Sequence, residues 1–135
     1  MLQRIQSVWL LLAAIFLFLS FRFPFYSGNT AEKAGVKFTA GYNFLTLVLT
    51  AILAAGCLAI IFLYKNRKLQ LRLTIAALLV SIAILAVYFA GLRDFVSGEL
   101  SFSAIFIFLV PVLLLLAGRG IYKDKKLVRS LDRLR

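Results

Sequence analysis

Five carboxylates, one thiol and no imidazole make up the acid, thiol and histidine inventory of this 135-residue chain. Without histidine, the commonest general base and metal ligand is missing. Asp94 and Glu99 share one polar segment with Arg93 and are the nearest approach to an acid–base pair. Their setting between apolar runs reads as solvated loop charge. Cys57 lies inside an apolar run, cannot close an intrachain disulfide alone, and reads as a small buried hydrophobe. "GRG" at 118–120 lacks the G-x-x-x-x-G-K-[ST] spacing of a phosphate loop. No zinc spacing and no nucleophile elbow occurs. A proton-coupled pump would need a carboxylate within the apolar runs, and a quinone-linked thiol oxidase would need paired cysteines; this chain offers neither. The expectation is a non-enzyme with no metal and no cofactor.

The chemistry that is abundant is positive charge. The net charge is +11, and seven of the sixteen Lys and Arg residues fall in the C-terminal stretch "GRGIYKDKKLVRSLDRLR". On a helix at about 100° per residue, Leu127, Leu131 and Leu134 fall within about 60° of one another, with Val128 adjacent. Lys125, Lys126, Arg129, Asp132 and Arg133 fall on the opposite side. The expected tail is therefore an amphipathic basic helix. It could lie on anionic lipid or dock on a protein. Nucleic acid is disfavoured, because only Tyr122 interleaves with the charges and base stacking has little support.

The elements that must carry this tail are apolar. Hydrophobic residues make up 63% of the chain and mean hydropathy is +0.99, against about 45–50% apolar in an ordinary soluble domain. The excess sits in four blocks, and crossing a bilayer takes about 20 apolar residues. The predicted fold class is all-α: a single membrane domain, 1–135, built as a four-transmembrane-helix bundle with the amphipathic basic helix at its C-terminus. The predicted spans are about 5–25, 42–64, 72–92 and 101–118, with a cytoplasmic tail at 119–135. The first block could be mistaken for a signal peptide, but "RFPFYSGN" after it offers no A-x-A-like site. Residues 26–41, rich in Gly, Ser and Thr, read as a connecting loop, and Pro111 is expected to kink the fourth span.

Orientation follows from the loops. Segments 1–7, 65–72 and 118–135 hold twelve of the basic residues; Arg22, Lys33, Lys37 and Arg93 are the other four. The positive-inside rule then places both termini in the cytoplasm of a bacterial inner membrane. Tyr42, Tyr64 and Tyr88 are expected in the interfacial aromatic belts. Small residues at Ala51, Ala55 and Ala59, and at Ala76, Ala83 and Ala90, suggest close packing between the second and third helices. The Leu- and Phe-rich first and fourth helices are expected to face lipid. Thr46, Thr50, Thr74, Ser81 and Ser103 are expected to bond to the local helix backbone or across one helix contact, with lining of a polar path as the alternative.

The two ends, "MLQRIQSVWLLLAA" and "GRGIYKDKKLVRSLDRLR", resemble those of a family of short bacterial four-helix membrane proteins, the domain of unknown function family 4293. The likeness is most specific in Gln3 to Ser7 and Lys123 to Arg135. Lys125 and Leu131 depart from the family pattern, where an acid and an alanine are expected. The resemblance implies the four-span topology and no activity. It also implies that the two ends do more than anchor, since a lipid anchor could use almost any mixture of Lys, Arg and Leu.

Two sites are expected from this. The first is a cytoplasmic cap of Arg4, Gln6, Asp124 and Asp132, with Arg4 paired to one of the two acids. The second is a lipid or partner face of Lys123, Lys126, Leu127, Arg129, Leu131, Arg133 and Leu134. The expected function is an accessory or scaffold component whose basic face binds anionic lipid of the cytoplasmic leaflet or a membrane-protein partner. The alternative is a subunit of a small transporter or channel formed by homo-oligomerisation.

Overall fold

A computed structural model describes residues 2–134, with side chains from Ile5 onward. Four helices dominate: α1 (Leu2–Arg22), α2 (Phe44–Phe62), α3 (Arg67–Gly91) and α4 (Ala104–Arg133). Each contains a stretch long and apolar enough to cross a membrane. They alternate in direction, so both ends of the chain lie at one end of the bundle.

The buried positions follow one rule. They run Gln6, Leu10, Ala13, Leu17 and Ser20 on α1, and Thr46, Thr50, Leu53, Cys57 and Ile60 on α2. On α3 they run Gln70, Thr74, Ala77, Ser81, Ile84 and Tyr88; on α4, Val110, Leu114, Ala117, Ile121 and Asp124. Steps of four and three residues alternate throughout. This is the 3.5-residue seam of left-handed helix bundles. What sets the seam apart from the outer faces is polarity, since the outer faces are as apolar as any core.

Packing differs from expectation in three places. Ala51, Ala55 and Ala59 face outward, as do Ala76, Ala83 and Ala90. Of these, Ala59 and Ala76 border an open apolar groove between α2 and α3 of about 330 Å3. The most extensive helix contact is α1 with α4, because small Ala13, Ala14 and Ala117 are fully or almost fully buried and let these Leu-rich helices close on each other. Tyr88 belongs to no belt: it is fully buried at the far end of the seam. Tyr42 and Tyr64 are exposed.

The all-α expectation is corrected by a small sheet. Residues 26–41 are not a plain loop. Strands β1 (Tyr26–Thr30), β2 (Val36–Phe38) and β3 (Phe95–Leu100) form an antiparallel sheet in the order β2-β1-β3. The signal was hidden because β1, "YSGNT", has none of the apolar alternation that marks a strand. It pairs with the short β2 on one side and with the distant segment before α4 on the other. Gly28 sits opposite Gly98, and a Cβ on Gly28 would stand 2.2 Å from the Ser97 carbonyl oxygen, so only glycine allows this approach. Gly35, at φ +68°, makes the hairpin turn.

The sheet is seated on the bundle by aromatic rings. Phe38 is fully buried and meets Tyr88 edge-on at 5.2 Å, while Phe25 meets Tyr88 at 4.5 Å. Gly91 leaves room for this plug: a Cβ there would lie 2.6 Å from the Phe38 ring.

At the other end, the C-terminal residues form no separate helix. α4 passes Pro111, Gly118 and Gly120 without a break and ends at Arg133. α3 likewise begins at Arg67, capped by Asn66, whose side chain accepts from the Leu69 amide at 3.3 Å. Most of the basic 65–72 segment is therefore helix.

Candidate polar and basic site

The last turns of α4 and the first turns of α1 build a polar layer inside the bundle. Gln6 and Asp124 are 3% and 6% exposed. The Gln6 side-chain amide donates to Asp124 Oδ2 at 2.7 Å. Gly120, one turn before Asp124, makes the space: a Cβ there would stand 2.8 Å from Gln6 Cγ. Gln70, also buried, donates from Nε2 to the Ile60 carbonyl at 3.2 Å and ties α3 to the end of α2. Buried amides and carboxylates are stable only when bonded in this way.

Of the four expected cap residues, Gln6 and Asp124 are therefore brought together. Asp132 is not with them. It is exposed, about 12 Å further along the helix axis at 1.5 Å per residue. The Arg4 side chain lies outside the described residues. Gln70 was not foreseen, although its place in the four–three register of Thr74, Ala77 and Ser81 could have found it.

Two clefts surround this layer. The first, about 970 Å3, lies between the α2–α3 turn and the end of α4. Lys65, Arg67 and Lys68 line one wall; Lys125, Val128 and Arg129 line the other, and Asp132 is the one acid in its lining. Residues about sixty apart in sequence thus share one basic surface. The second is a groove between α3 and α4, about 860 Å3, apolar in its floor and walls, with Arg119, Lys123 and Lys126 at one end. Arg133 borders a smaller surface hollow, about 510 Å3, with Tyr122 and Lys125. Leu127, Leu131 and Leu134 are 50%, 61% and 85% exposed.

The remaining polar residues of the seam are mostly satisfied by backbone. Thr46 donates to Ala40 and Asn43 carbonyls, Thr74 to Gln70, Ser81 to Leu78, and Ser103 to Pro24. The Thr50 hydroxyl makes no hydrogen bond among the described residues. The Tyr88 hydroxyl lies near Ser20 without hydrogen-bond geometry; Ser20 donates to the Leu17 carbonyl. Asp94 is exposed in a 3-10 turn, and Glu99 is exposed in β3 opposite Ser27. Among the described residues, no group of three His, Cys, Asp or Glu is placed to hold a metal ion.

Four apolar helices around a polar seam define the class: a multi-pass helical membrane protein. Within that class the chain belongs to the family described as Domain of unknown function (DUF4293), whose sequence profile matches residues 2–134. No curated protein and no solved structure matches the chain.

Proposed function

We propose that the protein is a non-catalytic scaffold component of a bacterial inner membrane, with both termini cytoplasmic, whose basic end docks an acidic partner protein. The observation that carries this reading is the basic cleft shared by the α2–α3 turn and the end of α4. Its side of the membrane follows from the charge bias of the loops, twelve basic residues against four.

The choice of protein over lipid surface for the tail rests on the course of α4. Its 30 residues extend about 45 Å at 1.5 Å per residue, whereas the hydrocarbon core is about 30 Å thick. About 15 Å of helix then projects beyond the core. A helix that lay flat on the headgroups would have to bend after the span, and α4 is unbroken to Arg133. Leu131 and Leu134 are thereby carried past the core, and with Leu127 they form an exposed apolar stripe on the face opposite Lys125 and Arg129. That amphipathic, basic display suits a partner helix carrying acids and a complementary apolar face. The pore alternative draws less support, since Thr46, Thr50, Thr74 and Ser81 point into the chain's own seam.

The test is site-specific photocrosslinking in cells. A crosslinker at Val128 or Leu131 should give one discrete protein adduct, and a crosslinker at lipid-facing Ile82 should not. The adduct should disappear in a Lys125→Glu, Arg129→Glu variant. Adducts unchanged by charge reversal, or the same pattern from all three positions, would overturn the proposal. Truncation before residue 124 is the poorer test, because it removes Asp124 and with it the bond to Gln6.

A further inference from the structure

We infer that the groove between α3 and α4 is a binding site for one anionic glycerophospholipid, with an acyl chain along the groove and the phosphate among Arg119, Lys123 and Lys126. The inference rests on the same reading of the basic end as the headgroup side of the membrane. It uses different residues from the protein-docking cleft, so the two can fail separately.

The groove has the two-part chemistry of a lipid. Leu71, Ile75 and Leu78 of α3 lie four and three residues apart and form one apolar wall. Leu114 and Leu115 of α4 face them. Gly118 forms the floor: it leaves α4 without a side chain where it passes Thr74, whose Cγ2 lies 3.7 Å from the position of a Cβ. The helices therefore touch beneath the groove and part above it. At about 860 Å3 it falls within the roughly 300–1,000 Å3 of small-molecule sites.

The charge lies toward one end, with Lys123 and Lys126 at the mouth and Arg119 one turn deeper, next to the Gly118 that passes Thr74. Arg119, Lys123 and Lys126 are exposed and lie four and three residues apart on α4, with Tyr122 among them; no acid lines the groove. Ile75, Leu78, Leu114 and Leu115 lie on the bilayer side of Lys123 and Lys126, and Tyr122 is an interfacial residue in type and place. Basic pockets between membrane helices at this level suit anionic headgroups. Arginine adds a planar fork that matches phosphate, while the two lysines add point charge. A neutral zwitterionic lipid fills the same walls but leaves three cations uncompensated.

The test uses the purified full chain in mild detergent and native mass spectrometry, with phosphatidylglycerol or phosphatidylcholine titrated in. The wild type should retain phosphatidylglycerol preferentially. An Arg119→Gln, Lys123→Gln, Lys126→Gln variant should lose that preference by at least about fivefold, the effect of one Lys or Arg near an anionic surface. Ile75→Trp fills the groove from a half-exposed position, leaves the core untouched, and should lower retention of both lipids. Lys125→Glu, Arg129→Glu, which disrupts the docking cleft, should leave phosphatidylglycerol retention unchanged. Excess glycerol phosphate should not displace the lipid; displacement would mean that the cations hold a free phosphate and would overturn the assignment. Equal retention of the two lipids by the wild type, or preference unaltered in the triple Gln variant, would overturn it as well.

Discussion

The bond between Gln6 and Asp124 joins the first helix to the last, and its strength can be measured by a double-mutant cycle. Both side chains are more than nine-tenths buried, and the donor–acceptor distance is 2.7 Å. Gln6→Leu leaves the carboxyl without this donor; Asp124→Leu leaves the amide without its acceptor. Leucine approximates both shapes, so the cavity contribution is small. Orphaning a buried polar group costs about 1–3 kcal/mol, and each single variant should lose stability in that range. The double variant replaces both partners with apolar groups and should cost less than the sum. Cycles between membrane helices average about 0.6 kcal/mol and reach about 1.7. This pair is short and buried, so a coupling of about 1–1.7 kcal/mol is expected, the upper part of that range. The readout is reversible unfolding in mixed micelles followed by the fluorescence of Trp9, the single tryptophan, which packs against the core. Asp124→Asn keeps a side-chain acceptor and should be the mildest change. Additivity within about 0.3–0.5 kcal/mol, or an Asn variant as damaging as the Leu variant, would refute the reasoning.

Four further outcomes follow from the close contacts and open faces. Gly118→Ala meets only an ordinary contact with Thr74 and should stabilise α4 by up to about 1 kcal/mol through helix propensity. Gly120→Ala instead drives a methyl to 2.8 Å from Gln6 and should destabilise by about 1–3 kcal/mol; thermal midpoints of the two purified variants check the sign. Gly91→Ala should unseat Phe38 at a similar cost of about 1–3 kcal/mol, visible as faster amide hydrogen exchange in β1 and β2 while α1 and α4 stay protected. Ala55→Leu, on an outward face, should change unfolding free energy by no more than about 0.5 kcal/mol; a larger loss would mean that the small-residue stripe is a packing surface.

The four helices were legible because apolar run length is a sequence property that needs no partner. The seam was harder to read. In lipid the outside of a helix is as apolar as the inside, so hydrophobic patterning loses its contrast and polar residues become the inner mark. Read that way, Gln70, Thr74 and Ser81 announce the inner face of α3, whereas the alanine stripes pointed to the wrong one. Gln6 and Asp124 could be suspected of meeting because the topology puts them on one side. Their bond also needed Gly120, whose lack of a side chain matters only once α1 is beside it. The sheet was illegible locally, since Gly28 and Gly98 come together across about seventy residues. The clefts had the same obstacle. Charge runs at 65–68 and 125–129 read as topology, and only the projection of α4 makes them opposing walls.

The pairing of α1 with α4 also sets a schedule for the chain's birth. The first span emerges from the ribosome long before the last, yet its inner face, Leu10, Ala13, Leu17 and the Gln6 amide, has its main partner in α4. β1 likewise waits for β3. Contacts this distant in sequence cannot form early, and they slow closure. The nascent chain must therefore hold α1 in the membrane without the acceptor of its Gln6 amide until α4 is made. A chain arrested after α3 would keep α1 without its main packing partner.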